Sequence, residues 1–338
     1  MRHKNSQSVL NFACDTCSWK VSKLCNGATN GKSYLLQGEN YIGCFDVAKR
    51  ESFFFDTFKT KIPIPKSSHQ NRLNLPPYTL TVNRGMTIPN CLENFVFGIS
   101  LGKIIGKRGY LRYKDVNEIK LKFGIPMKAR VALIGTGDDK QLEIFWKIHQ
   151  ANQVFEKIAR MGFDWVTSLT WSVWEEDFPR PDQIRNQQRN FQSYDLFANL
   201  GVPCIPFLFL IDEIDFENTN QWLQERPDIN TVAIYARYYR DSNTIFKLLK
   251  YLEKIQEYVK RPLEFLIVGI AKADNISLLK KKFNVKFVNG KPYYATVKGG
   301  RLCNSKLEYS KSDLPKEEVL RINFLRNYGF CKKVELSK

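Results

Sequence analysis

The sequence predicts an α/β fold, a (β/α)8 TIM-like barrel with a small N-terminal Cys-rich segment in front of it. Three observations lead there. Eight short runs rich in β-branched and aromatic residues recur between Tyr78 and Val288. These runs are apolar almost without interruption, as strands covered on both faces must be. Segments with a helical period separate most of them, which is the spacing that parallel strands with helical crossovers require. Strand, helix, strand repeated eight times implies a closed barrel. A doubly wound open sheet is the alternative, because periodicity does not reveal whether the sheet edges meet.

In chain order the strands are "YTLTV" (Tyr78–Val82), "NFVFGIS" (Asn94–Ser100), "ARVALIG" (Ala129–Gly135) and "DWVTSLT" (Asp164–Thr170). "CIPFLFLI" (Cys204–Ile211), "TVAIYA" (Thr231–Ala236), "EFLIVGI" (Glu264–Ile270) and "VKFV" (Val285–Val288) follow. The helices are clearest in the second half. Ile245, Leu248, Leu249, Leu252, Ile255 and Val259 form one apolar stripe, with Ser242 or Asn243 as N-cap and Pro262 beyond the end. A helical pattern from about Lys140 closes on Gly162, and another from Arg180 closes on Gly201. The first two units are irregular.

The domain reading is a basic, Cys-rich segment over residues 1–60 and a Pro- and Ser-rich linker or arm over 61–77. The barrel covers 78–300, and a helical extension covers 301–338. No apolar run has the length of a membrane span, and the N-terminus lacks the apolar core of a signal peptide. A cytoplasmic location with reduced thiols is expected.

Charge narrows the partners. The chain carries 52 Lys and Arg against 34 Asp and Glu, a formal +18, and residues 1–130 alone hold 21 basic and 8 acidic side chains. Such an excess favours nucleic acid, DNA or RNA, as partner. Histidine-based catalysis is poorly served, since only His3, His69 and His149 are present. Any catalysis therefore falls to carboxylates, or to a metal held by cysteines.

The metal question rests on Cys14, Cys17, Cys25 and Cys44, spaced C-x2-C-x7-C-x18-C. Clustered thiols in a reducing compartment bind metal more often than they form disulfides, and sulfur ligation suits zinc or an iron–sulfur cluster. Four free thiols are the remaining reading. "GATNGKS" (Gly27–Ser33) is not a phosphate loop, because three residues rather than four separate its first glycine from Gly-Lys-Ser.

In a barrel the chemistry sits where strands end. "FLFLIDEIDFEN" places Asp212, Glu213 and Asp215 directly after an apolar run, where a carboxylate beside a low-dielectric core serves as acid, base or nucleophile. The same acids would equally suit a helix N-terminus. "TWSVWEEDFPRP" offers Trp171 and Trp174 as stacking platforms for bases or sugars, or as loop-packing residues. "YARYYRD" offers Tyr235 and Arg237 for base and phosphate contacts, and Lys272 and Asn289 end the last two strands.

Over Asp164–Gly300 the chain resembles the tRNA-guanine transglycosylase superfamily, including its DNA-acting relatives. "EFLIVGIAKADNISLL" is similar to that family's seventh strand, turn and helix, and "FNVKFVNGKPYYATVKGGRL" to its eighth strand and return strand. The resemblance implies attack on a nucleotide C1′ by an aspartate and exchange of the base. Asn289 stands near the position of the family's nucleophilic aspartate, and Thr170 near that of a second acid. The family's C-terminal zinc motif is not present, so Asp212 or Asp215 would have to supply the nucleophile or base. The resulting expectation is a nucleic-acid-acting barrel protein with base-exchange chemistry. A non-enzymatic nucleic-acid-binding factor and a carboxylate glycosidase are the alternatives.

Overall fold

In the computed structural model, residues 73–171, 180–210, 213–239, 241–303 and 307–333 are described. Eight parallel strands form one sheet: β1 (Tyr78–Thr81), β2 (Val96–Ser100), β3 (Arg130–Ile134), β4 (Trp165–Thr167), β5 (Cys204–Ile205), β6 (Thr231–Tyr235), β7 (Glu264–Val268) and β8 (Asn284–Asn289). Their order is β5-β4-β3-β2-β1-β8-β7-β6. The two ends of that order meet. Phe207 and Ala233 form a parallel bridge, with Leu208 N donating to Ala233 O at 2.9 Å and Ala233 N to Pro206 O at 2.7 Å. The fold is thus the α/β (β/α)8 barrel that the periodicity predicts.

Strand alternation builds two cores. On β3, Val131 and Leu133 face the helices while Ala132 and Ile134 face the barrel axis; on β7, Phe265 and Ile267 face outward while Leu266 and Val268 face inward. Trp165, Phe207, Val288 and Leu75 complete the axial core.

Helices α1 (Leu101–Ile104) and α2 (Val116–Phe123) follow β2, and α3 (Asp139–Ile148) and α4 (Val154–Arg160) follow β3. The single helix expected from Lys140 to Gly162 is therefore two. Gln153 between them takes φ +49, Asn152 donates its side-chain amide back to Ile148 O, and His149 stacks on Trp146, so the chain turns where polar residues interrupt the apolar stripe. Helix α5 (Arg180–Asn199) ends before Gly201 at φ +75, as predicted. Helix α6 (Glu213–Gln224) follows β5 and α7 (Ser242–Val259) follows β6. The predicted stripe of α7 is buried, but its cap is Asp241 rather than Ser242 or Asn243. The Asp241 carboxylate accepts from Thr244 N, and Thr244 Oγ1 accepts from Asp241 N, a reciprocal capping box. Helices α8 (Ala273–Lys282) and α9 (Lys291–Val297) follow β7 and β8. Among the described residues no helix is long and apolar enough to cross a membrane.

The irregular first unit has a structural answer. Between β1 and β2 the chain makes only a 3-10 turn (Asn90–Leu92), so the outer face of these strands lacks its own helix. The C-terminal helix α10 (Lys316–Lys333) covers it after an antiparallel pair, β9 (Gly300–Leu302) and β10 (Tyr309–Lys311). Phe324, fully buried, sets its ring 6.0 Å from Tyr78, 4.8 Å from Phe95 and 5.8 Å from Phe97. Asn323 secures the return by accepting from Leu302 N at 2.7 Å and donating to Gly300 O at 2.8 Å and Thr296 Oγ1 at 2.9 Å. Phe324→Ala is expected to lower unfolding free energy by about 3–5 kcal/mol. Urea denaturation followed by fluorescence checks this, a loss under ~1 kcal/mol showing that α10 is not needed to seal the barrel.

Candidate functional site

The C-terminal ends of all eight strands open onto one cavity of about 1190 Å³. Its walls are built where the ladders stop. After β2, Ser100 Oγ bonds Thr136 O at 2.5 Å, and Gly102 N donates to the same oxygen at 3.0 Å, tying the β2 and β3 loops together. Thr136 in turn bridges Thr170 beyond β4. After β7, Gly269 takes φ +110 and lies so close to the β6 loop that a Cβ there would meet Arg237 backbone at 3.0 Å. Only glycine allows this approach, and it fixes where Arg237 leaves the backbone.

The wall is strongly cationic. Lys103, Lys140, Arg237, Lys272 and Lys291 line it against two acids, Asp138 and Asp139. Asp138 is the N-cap of α3, its carboxylate accepting from Lys140 N at 3.1 Å. Among the described residues Lys103, Lys140, Lys272 and Lys291 form no ion pair. Arg237 is hydrogen-bonded to the Tyr235 side chain, which holds its pKa above the usual arginine value. Lys291 is half-buried with its Nζ 5.1 Å from the Tyr309 ring centroid. Burial lowers the pKa of its ammonium, Lys272 adds in the same direction, and Glu308 opposes. Tyr235, Tyr238 and Tyr294 interleave with these cations around the opening.

The residues singled out from sequence have different fates. Tyr235, Arg237, Lys272 and Asn289 line the cavity together. Trp171 also reaches its wall but is only 2% exposed, with the Arg189 guanidinium 4.1 Å over its ring and Trp146 edge-on at 5.4 Å. It packs the wall rather than presenting a face. Glu213 is exposed in the first turn of α6, paired with Lys254 and Tyr258, whose hydrogen bonds lower its pKa. Asp215 is 4% exposed and accepts from Gln187 Nε2 at 2.8 Å. Neither acid lines the cavity. Asp212 and Trp174 lie outside the described residues.

Tyr238, one of the three tyrosines of "YARYYRD", lines the cavity as well. Lys140, Phe209 and Tyr294, which the sequence reading does not single out, also line it; Tyr294 lies within "GKPYY", a full turn beyond its strand end.

Cys14, Cys17, Cys25 and Cys44, the residues read as holding zinc or an iron–sulfur cluster, lie outside the described residues. Among the described residues no group of three or more His, Cys, Asp or Glu is placed to hold a metal, and Cys91, Cys204, Cys303 and Cys331 form no disulfide there. Comparison with protein-family models and with curated proteins finds no match.

Asn289 is held as an amide. Its Nδ2 donates to Ile270 O at 2.8 Å, while its Oδ1 accepts from Tyr78 Oη at 3.0 Å and from Lys291 N at 3.1 Å. Burial pushes the Tyr78 hydroxyl well up, so it remains a neutral donor. A carboxylate would keep two of these bonds and lose the third, facing the Ile270 carbonyl oxygen without a proton. Asn289→Asp is accordingly expected to cost about 1–3 kcal/mol at neutral pH. Part of that loss should be recovered in acid, where the protonated carboxyl again donates. Thermal unfolding at several pH values checks this, equal stability of the two proteins showing that the amide is not required.

Proposed function

We propose that this protein binds nucleic acid, with a single-stranded segment or an extruded nucleotide seated in the barrel mouth. One observation carries the reading: four lysines that form no ion pair among the described residues, and one arginine, surround a cavity that also presents Tyr235, Tyr238 and Tyr294. Lysine and arginine pay a repulsive cost when gathered without counter-charges, and a polyanion relieves it. Phosphates supply the charge, and bases supply faces for the tyrosine rings. The opening exceeds the roughly 300–1000 Å³ typical of a small-molecule pocket, leaving room for a nucleotide and its flanking phosphates. The formal +18 of the whole chain extends the attraction beyond the cavity.

The resemblance to transglycosylases extends this reading to exchange of a base at C1′. Asp215 is committed to Gln187, which leaves Asp212 as the acid that the sequence offers for that step. Product analysis with Asp212→Asn tests the extension separately from binding.

Binding to a short single-stranded oligonucleotide is expected to weaken as a power of salt concentration. The double variant Arg237→Ala with Lys272→Ala should reduce the log–log slope by about 1.4, since each single-strand phosphate contact contributes about 0.7. Fluorescence anisotropy across a salt series reads this directly. An unchanged slope would remove the mouth from the binding surface.

A further inference from the structure

From the placement of Lys291 we infer a second role for the mouth: Lys291 is a nucleophilic amine that forms an imine with an aldehyde carried on a phosphorylated sugar. The inference rests on the mouth being an anion-binding site, as proposed above. Lys291 is the first residue of α9, one residue after β8, and lines the cavity together with Lys272. Among the described residues its Nζ donates to Ala271 O at 3.5 Å and Leu307 O at 3.4 Å and forms no ion pair. Both contacts use N–H bonds, so the neutral amine keeps its lone pair.

The charged and titratable groups facing it are Lys272 from the β7 loop and Glu308 and Tyr309 from the hairpin. Partial burial and the neighbouring Lys272 both favour the neutral amine, which is the form that attacks a carbonyl. Lys103, Lys140 and Lys272 of the same wall supply charge for the phosphate of the same ligand. The ring-opened sugar of a nucleotide that has lost its base carries such an aldehyde at C1′, and small sugar phosphates carry the same chemistry.

The step balances without a co-reactant. The Lys291 lone pair forms the N–C bond, and the carbonyl oxygen takes a proton to give a carbinolamine. Loss of that oxygen as water, with the nitrogen's proton, leaves the imine. Cyanoborohydride, used only as a trap, delivers hydride to the imine carbon and makes the link permanent.

The test incubates the full chain with cyanoborohydride and either a single-stranded oligonucleotide containing one abasic site or glyceraldehyde 3-phosphate. Peptide mapping then locates the adduct. We expect an oligonucleotide adduct at Lys291. Lys291→Arg should lose it while keeping the parent's circular dichroism and thermal unfolding midpoint, which shows that the variant folds. Lys272→Ala should move the pH profile of trapping upward, because removing the neighbouring cation restores a more ordinary lysine pKa; a purely structural lysine would show no such shift. An adduct at Lys291 with glyceraldehyde 3-phosphate alone would keep the nucleophile and assign it a small ligand, at the expense of the nucleic-acid reading. Intact oligonucleotide binding with no adduct at Lys291 from either probe would overturn the inference and leave the binding function standing.

Discussion

Closure of the barrel between β5 and β6 is the constraint on which the rest of the structure depends. β5 has only two ladder residues, and Pro206 removes a donor immediately after them. The seam therefore rests on the Phe207–Ala233 bridge and its two backbone hydrogen bonds. Side-chain hydroxyls serve where ladder partners run out. Ser168 Oγ accepts from Phe207 N at 2.8 Å, Ser193 Oγ from Leu169 N at 2.8 Å, and Thr167 Oγ1 from Gly135 N at 2.7 Å. Each satisfies a buried backbone donor that would otherwise cost stability. Without this seam the eight strand ends would not surround a single opening.

The same requirement explains the polar character of α5. Asn186, Gln187, Arg189, Asn190, Ser193 and Asp195 are all buried, alongside Tyr194 and Phe197. Their partners lie around the short strands: Asp195 pairs with Arg226 through two hydrogen bonds at 3.0 and 3.2 Å, and Gln187 meets Asp215. Burial raises the pKa of Asp195 while Arg226 opposes, and the two-pronged geometry keeps the carboxylate and guanidinium matched. These acids and amides hold α5 and α6 in register. The mouth is left with five cations against two acids, and that surplus is its main chemical property.

Much of this was legible beforehand. Near-continuous apolar strands such as "ARVALIG" and "EFLIVGI" point to a two-sided parallel sheet, and their spacing points to helical crossovers. Arg237, Lys272 and Asn289 were found because a barrel puts strand ends on one rim. The acids after β5 were harder to place. A carboxylate at a strand end and a carboxylate in the first turn of a helix share one sequence pattern, and only packing shows that Glu213 turns to Lys254 while Asp215 is buried against Gln187. Trp171 presents a similar ambiguity, resolved by the guanidinium of Arg189 lying over its ring.

Local periodicity, charge and strand-end positions thus determine the barrel class, the basic character and part of the cavity wall, because each depends on residues close together in the chain. Tertiary structure decides what depends on distant residues meeting: that β5 reaches β6, that α10 returns to cover β1 and β2, and that Lys291 stands beside Lys272. Those contacts join segments from 19 residues apart to more than 200, as in the Tyr78–Asn289 bond. No local pattern encodes such pairings, since they arise only when the whole sheet closes and one core excludes water.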